Sequence, residues 1–497
     1  MAIDSAPPPS KTAGNAYEAV IGLEVHSQLL TASKMFCGCS AEYAGAAPNS
    51  HVCPVCLGMP GALPVINKRA VELMIMTGLA LNCEIPEASK FDRKNYPYPD
   101  LVKGYQISQF DLPFAKEGWL DVEVDGVVTR IRIERVHQEE DTARLVHGTD
   151  SDGKAASFVD VNRSGVPLME IVSHPDIRSA AEARAYLQKL RAIVRALGVS
   201  TGNMDEGSFR CDANISLRPV GQAEYGTKAE IKNMNSFRAV FHAIEYEITR
   251  QAEVLNRGER VVQETRGWIE ERGVTVSQRS KEQAHDYRYF PEPDLPPLFV
   301  SREWVAELKA SLNELPDARR ERYVAEHGLT PYLAGQLTAS AEVGAFFEET
   351  LALYPDPRKV GNWVQTELFR LLKESGDDED GTVALPQPAH LAELLRLVDT
   401  GTIGQTAAKR VFEEMYRSGK APSVVVEELG LTQVSDTDEL TRIVDSVIAA
   451  NPQPVADFKG GKTSAAGRLV GEVMKATRGR ANPGVVKDVL FARLDAS

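Results

Sequence analysis

Phe209-Arg-Cys-Asp-Ala-Asn-Ile-Ser-Leu-Arg218 alternates apolar and polar residues without a break. Phe209, Cys211, Ala213, Ile215 and Leu217 take one face, and Arg210, Asp212, Asn214, Ser216 and Arg218 take the other. A period of two marks a β-strand with one face in a core. The second face is unusual, because it lines up a carboxylate, an amide, a hydroxyl and two guanidiniums. Met204-Asp-Glu-Gly207 precedes it, with two carboxylates before a Gly that can turn the chain. Arg forks and carboxylates on one rigid sheet surface suit a metal-bound polyphosphate. A polar sheet face with internal ion pairs is the plainer reading of the same residues.

The chain has 497 residues, 43% of them hydrophobic, which allows two to four domains. No apolar run reaches the ~18 residues of a membrane span. The first ten residues carry neither a basic stretch nor an apolar one, so they do not form a secretory signal. The expectation is a disordered extension over residues 1–15 and a cytoplasmic protein. A net charge of −14 argues against a general nucleic-acid coat, though not against a local basic patch.

Val20-Ile-Gly-Leu-Glu-Val-His-Ser-Gln28 alternates in the same way and puts Glu24 and His26 on one face. Two residues apart on a strand, they project about 7 Å apart and can share a divalent ion. A structural Glu-x-His pair is the plainer alternative. Cys37-Gly-Cys39 and Cys53-Pro-Val-Cys56 follow, two thiol pairs on tight turns. Such pairs suit tetrahedral zinc, although the first is Cys-x-Cys; disulfides are the rival reading and are disfavoured in a cytosolic chain. Four protein ligands leave no open position, so the zinc would be structural.

Residues 91–109 mix Arg93, Lys94 and Lys103 with Tyr96, Tyr98 and Tyr105, and are too rich in Pro and Tyr for a helix. They suit either a loop holding a nucleotide or tRNA end, or a wrapped surface loop. Residues 127–136 alternate as a strand and run into His137-Gln-Glu-Glu-Asp141, whose three carboxylates repel one another unless a cation or Arg neutralises them. Ser179-Ala-Ala-Glu182 is a capping box opening a helix with Tyr186, Leu187, Leu190, Val194 and Leu197 on one stripe. Thr227-Lys-Ala-Glu-Ile-Lys232 alternates again, and Ser236 caps a long helix to about Leu255. Together these imply an α+β domain, with a mainly antiparallel sheet serving as a trough, over residues 16–300.

From Ser301 the pattern turns helical, which gives a helical domain over residues 301–420 and a small helical tail domain over residues 421–497. An acidic loop, Glu374-Ser-Gly-Asp-Asp-Glu-Asp-Gly381, interrupts the helices. The last forty residues hold eight cations, including Lys459, Lys462, Arg478 and Arg480, against three anions. That balance of +5 suits an RNA backbone. No G-x-G-x-x-G follows a strand, and Gly460-Gly-Lys-Thr463 lacks the Gly that a P-loop needs at Ala456.

Several ordered strings closely resemble the B-subunit family of the aspartyl/glutamyl-tRNA(Asn/Gln) amidotransferases. They are Val20-Ile-Gly-Leu-Glu-Val-His26, Phe91-Asp-Arg-Lys-Asn-Tyr96, Asn162-Arg-Ser-Gly-Val-Pro167, Glu206-Gly-Ser-Phe-Arg-Cys-Asp-Ala-Asn-Ile-Ser216, Lys232-Asn-Met-Asn-Ser-Phe237, Asp286-Tyr-Arg-Tyr-Phe-Pro-Glu-Pro293 and Ala481-Asn-Pro483. The resemblance runs from about Tyr17 to the C-terminus. It implies a cradle-shaped, glutamine synthetase-like catalytic domain, a helical domain and a tail that contacts tRNA.

The implied activity is that of a carbon–nitrogen ligase. The side-chain carboxylate of Glu-tRNA(Gln) or Asp-tRNA(Asn) is phosphorylated by ATP, and ammonia from a glutaminase A subunit then displaces the phosphate. A small C subunit joins the two larger chains in a heterotrimer. By the same resemblance Glu24, His26, Glu139, Glu140 and Glu206 hold Mg²⁺, and Glu24, His26, Glu140, Glu206 and Arg210 carry the catalysis. Arg93, Lys94, Lys228 and Asp212 bind ATP, and Cys37, Cys39, Cys53 and Cys56 match a zinc site that only some members keep.

Two positions depart from the family pattern. Thr142-Ala-Arg144 replaces small-Gly-Lys, and His174 replaces an acidic residue. Arg144 keeps the charge of the Lys but not its geometry, and neither departure removes an expected metal ligand, so they bear on the details of the site. Two other readings stand beside the leading one: a zinc-bearing tRNA-binding module without its own catalysis, and a B-like paralogue that pairs with an asparaginase-like partner. The paralogue usually carries an inserted domain, for which this chain has no room.

Overall fold

The structure, a computed structural model, describes residues 17–280, 287–375, 385–431, 437–460, 464–477, 481 and 483–496. The expected N-terminal extension, most of the acidic loop, and Lys462, Arg478 and Arg480 of the basic tail lie outside the described residues, as do Asp286 and the side chain of Lys459. The chain divides into two compact units, Met1–Ala318 and Arg319–Ser497.

The first unit carries strands β1 (Tyr17–Gln28), β2 (Ala88–Ser89), β3 (Asp92–Asn95), β4 (Tyr105–Ser108), β5 (Ala115–Val124), β6 (Val127–Glu140), β7 (Arg144–Thr149) and β8 (Ala155–Asp160). They are followed by β9 (Pro167–Ser173), β10 (Phe209–Pro219), β11 (Ala229–Met234), β12 (Glu264–Ile269), β13 (Val274–Ser280), β14 (Phe290–Pro291) and β15 (Leu298–Phe299). Its helices are α1 (Lys68–Ala80), α2 (Ala180–Ala196), α3 (Phe237–Asn256) and α4 (Arg302–Ala310).

Eight strands form one mixed sheet in the order β13-β12-β11-β10-β1-β9-β6-β5. All neighbours are antiparallel except β11 and β12. β10 holds its expected alternation at all but one position: Phe209, Cys211, Ala213, Ile215 and Leu217 are buried and Arg210, Asp212, Asn214 and Arg218 half-buried, while Ser216 is buried as well. On the apolar side Ile21, Leu23 and Val25 of β1 join the core with Tyr186, Leu187 and Leu190 of α2 and Val240 and Ile244 of α3. Both helices start where the sequence places them. Ser179 accepts from the Glu182 amide, and Ser236 accepts from the Ala239 amide. Glu182 reaches back to the Arg178 amide at 2.7 Å, which completes a cap.

Residues 91–109, expected as a loop, instead contain β3 and β4, which pair with β14 in a small second sheet. The Pro- and Tyr-rich part is the connection between them. The first unit also runs past the change of sequence texture at Ser301. α4 puts Leu308 into the sheet's core, with Trp304 and Val305 packed against it, because its apolar stripe needs that cover. In the second unit the described residues form helices with two separate buried clusters, one from Tyr323 to Val426 and one from Leu440 to Leu494.

One ion pair pins the sheet beside its bulge. Asp176 accepts from the Arg132 amide at 3.0 Å and from Nε and Nη2 of the same residue at 2.8 and 2.7 Å, where the β6–β9 register shifts. Burial pushes the Asp176 carboxyl up, but the Arg132 bonds outweigh this and hold it below its ordinary value. A depressed folded pKa gives stability that is full above the unfolded value of about 4 and lost as pH falls through the folded one. Asp176→Asn should therefore destabilise the fold by roughly 1 kcal/mol at pH 7. In calorimetry at several pH values, the gap to the parent should narrow from pH 7 toward pH 3. A gap independent of pH would remove the carboxylate's charge from the account.

Candidate active site

The polar face of the large sheet floors a cleft of about 1210 Å³, lined among others by His26, Lys94, Glu139, Arg210, Asp212 and Lys232. Strand register places these groups. Glu24 of β1 lies opposite Asp212 of β10, and His26 lies opposite Arg210 on one side and Glu170 of β9 on the other. His137 of β6 pairs with Glu170, and Asn214 pairs with Glu230 of β11. Five strands thus bring their polar residues into one row.

Within the row the described residues form two clusters whose potential ligand atoms lie within 4.8 Å of one another: His26, Glu139 and Glu170, and Glu24, Asp212 and Glu230. In the first, His137 Nε2 is 3.1 Å and His26 Nε2 3.5 Å from Glu170. Glu139 accepts from Ser108 Oγ at 2.9 Å, Gln106 Nε2 at 3.2 Å and Lys94 Nζ at 3.3 Å. Burial pushes the Glu139 carboxyl up, but Lys94 and His137 outweigh it and hold it at about 2. Burial also works against the His137 cation, yet Glu170 and Glu139 raise it to about 9.

In the second cluster Asn214 Nδ2 donates to Glu24 at 2.8 Å and Thr265 Oγ1 donates to Glu230 at 2.8 Å. Lys232 pairs with Asp212 and, at 3.2 Å, with Glu230. Burial raises the Glu24 carboxyl, and the neighbouring Glu170, Asp212 and Glu230 raise it further. Crowded carboxylates of this kind call for a cation. Five carboxylates and one imidazole form a donor set dominated by hard oxygen, which fits Mg²⁺.

Glu24, His26, Glu139, Asp212, Lys94 and Arg210 all come together in this cleft. Glu140 does not join the clusters. Its buried carboxylate pairs with Lys103 and accepts from the Ile107 amide at 3.0 Å. Along β6 it is one residue from Glu139, so the pleat sends the two carboxylates opposite ways. Glu206 is exposed and only lines the cleft, and Lys228 is exposed just before β11. Arg93 makes a two-pronged pair with Glu292 at 2.7 and 2.9 Å and stacks on Tyr105.

The sequence reading missed Glu170, His137, Glu230 and Lys232 as site groups. One signal was available for Glu170, since it is a charged residue in the otherwise uncharged strand Pro167–Ser173. Arg144 and Thr142, the departures from the family pattern, line the cleft. His174 instead donates its amide to the Arg132 carbonyl at 2.9 Å.

Away from the cleft floor, Cys37, Cys39, Cys53 and Cys56 bring their sulfurs within 4.8 Å of one another as free thiols. The Cys53 amide donates to Cys56 Sγ at 3.1 Å. A bond from Cys37 and the charge of buried Lys34 help to hold the Cys56 thiol down, at about 4. Four soft sulfurs in a cluster this small fit a closed zinc site.

Residues 19–306 match the family described as "GatB/GatE catalytic domain", and residues 345–494 match the "GatB domain". An aspartyl/glutamyl-tRNA(Asn/Gln) amidotransferase B subunit from Carboxydothermus hydrogenoformans is 58% identical over 478 residues, covering 96% of this chain and 99% of its own. Its namesake from Thermomicrobium roseum is 57% identical over 482 residues, covering 95% and 98%. That from Dehalococcoides mccartyi strain CBDB1 is 54% identical over 487 residues, covering 96% and 99%.

Proposed function

The chain belongs to the family of aspartyl/glutamyl-tRNA(Asn/Gln) amidotransferase B subunits, and from that premise we propose that its cleft phosphorylates the side-chain carboxylate of the mischarged amino acid. It acts in the amidation of Glu-tRNA(Gln) and Asp-tRNA(Asn), within a ligase complex that makes Gln-tRNA and Asn-tRNA. In the proposed first step a carboxylate oxygen attacks the γ-phosphorus of ATP, and the bond to the β-phosphate oxygen breaks, so ADP leaves. Ammonia then attacks the activated carbonyl carbon, loses a proton and displaces phosphate, leaving the amide.

The observation that carries this reading is the pair of carboxylate clusters side by side on one sheet face, flanked by Lys94, Lys232 and Arg210. His26, Glu139 and Glu170 would hold one Mg²⁺, and Glu24, Asp212 and Glu230 another. Bound there, Mg²⁺ would offset negative charge on the transferring phosphoryl oxygens. The cations orient anionic groups of the two substrates, and the rigid strands fix their spacing. Glu139, held ionised, keeps Lys94 aimed into the cleft.

The finer architecture belongs to the same proposal. We read the first unit as a glutamine synthetase-like cradle that takes in α4 beyond the expected boundary at residue 300, followed by a helical domain up to about residue 420. Residues 421–497 form a tRNA-contacting tail. A glutaminase A subunit supplies ammonia, a small C subunit completes the heterotrimer, the four cysteines hold zinc, and the cytoplasm is the place of work. Among the described residues no helix is long and apolar enough to cross a membrane.

The test is phosphate release from ATP by the reconstituted three-subunit complex with Glu-tRNA(Gln), Asp-tRNA(Asn), uncharged tRNA or none. Release should require a mischarged tRNA, and the preferred one identifies the substrate. Tight tRNA binding without release would leave only the binding-module reading.

A further inference from the structure

Arg210 is a cleft cation with one light hold on the protein. A single nitrogen, Nη2, reaches both oxygens of Asp141, at 3.3 and 3.4 Å, and its Nε and Nη1 have no protein partner among the described residues. Its pose therefore depends on what holds Asp141. That carboxylate is buried and takes the Thr142 amide at 3.0 Å, Gln28 Nε2 at 2.7 Å and, at 3.6 Å, Arg163 Nε. Gln28 is held in turn. Its amide nitrogen donates to Tyr43 Oη at 3.1 Å, and Tyr43 Oη is 3.2 Å from Gln28 Oε1.

Tyr43 belongs to the loop between the two cysteine pairs. Most of residues 44–50 are exposed, so apolar packing does not fix this loop. It is tied down by polar bonds at its far end, from the Asn49 amide to Asp160 at 3.1 Å, from Asn162 Nδ2 to the Ala47 carbonyl at 2.7 Å and from the His51 amide to Asn162 at 2.8 Å. At the near end Tyr43 reaches the cleft wall, which it lines together with Gln28, Asp141 and Arg210.

We propose that Tyr43 is a positioning residue for the amidation, acting through Gln28 and Asp141 to hold Arg210 where it receives the carboxylate of the mischarged amino acid. The cysteine-bearing loop is thereby part of the substrate site. A loose guanidinium samples many poses, and fixing it before the substrate arrives lowers the ordering cost of binding. This rests on the carboxylate-phosphorylation reading above.

The experiment uses the reconstituted complex and follows amidation of its preferred mischarged tRNA. Tyr43→Phe keeps the ring and removes one hydroxyl. It should raise KM for the mischarged tRNA about fivefold, the scale of one hydrogen bond, with KM for ATP and the melting temperature unchanged. Gln28→Met, which breaks the same relay one link on, should do the same. Arg210→Lys should lose more, and Tyr43→Phe combined with Arg210→Lys should be no worse than Arg210→Lys alone, because both act through one group. Losses that multiply in full, or a Tyr43→Phe enzyme with the parental KM, would overturn the relay. A parental complex that binds mischarged tRNA but releases no phosphate would instead fail the proposed function, so the two failures are distinguishable.

Discussion

In the reconstituted complex, Glu170→Gln is expected to lower tRNA-dependent phosphate release by about 10²–10³-fold, the usual cost of removing one electrostatic group from a preorganised site. Gln has the shape of Glu but no charge, so the loss can be read as electrostatics. Glu170 is shared by two imidazoles, His137 at 3.1 Å and His26 at 3.5 Å, in the fully buried strand β9. Burial pushes its carboxyl up, yet those two histidines hold it well below the ordinary range, so the ionised form belongs to the fold.

Without that charge, His137 keeps only Glu139 as an acidic partner among the described residues, at 3.7 Å, and the cluster loses one of its three potential ligand groups. The Mg²⁺ concentration for half-maximal release should rise at least tenfold, as ligand and supporting-shell losses typically do. Tight binding of tRNA by the variant would show that the fold survived. Parental release at parental Mg²⁺ would remove Glu170 from the site and leave the first cluster as ordinary sheet ion-pairing.

The second large effect is expected at the cysteines. The parental protein should contain one zinc per chain by elemental analysis, and the double variant Cys53→Ser/Cys56→Ser should contain none. Its melting temperature should fall by about 5 °C, the size that a few kcal/mol produces in a large domain. The loop between the pairs explains the magnitude. Ordering a residue's backbone costs about 1–2 kcal/mol, and exposed residues return little of it through burial. A handful of hydrogen bonds at about 1 kcal/mol each cannot hold a thirteen-residue loop alone. A closed tetrathiolate site can, since binding energy at such a site is folding energy. Limited proteolysis should cut the double variant between Cys39 and Cys53 and spare the parent. A parental protein without zinc, or a variant that melts and resists cleavage like the parent, would make the cysteines ordinary packing residues.

The alternation at Phe209–Arg218 and Val20–Gln28 was enough to establish two strands and their apolar and polar faces, because a period of two allows only one arrangement of each face. The caps at Ser179 and Ser236 were legible for a similarly local reason: the donor and acceptor lie within three residues of each other. The cysteine set was also readable, since few chemistries need two close thiol pairs. The short strands β3 and β4 were not. Their pairing is with each other and with β14, about 200 residues away in the case of β3, so no local pattern announces it.

The candidate site divides along the same line. Residue type and spacing pointed to Glu24, His26 and the polar face that holds Asp212, and the family resemblance added Glu139. Sequence could not separate Glu139 from Glu140, because adjacent carboxylates read alike until a strand's pleat sends one toward the cleft and the other toward Lys103. It could not enlist Glu230 or Lys232 either, and marked Glu170 only as a lone charge in β9, because what brings them into the polar row is their register against neighbouring strands. The sequence by itself determined which chemistry this protein carries. The tertiary structure decided which carboxylates lie close enough to share a cation, because that depends on separations of a few ångströms that only strand pairing sets.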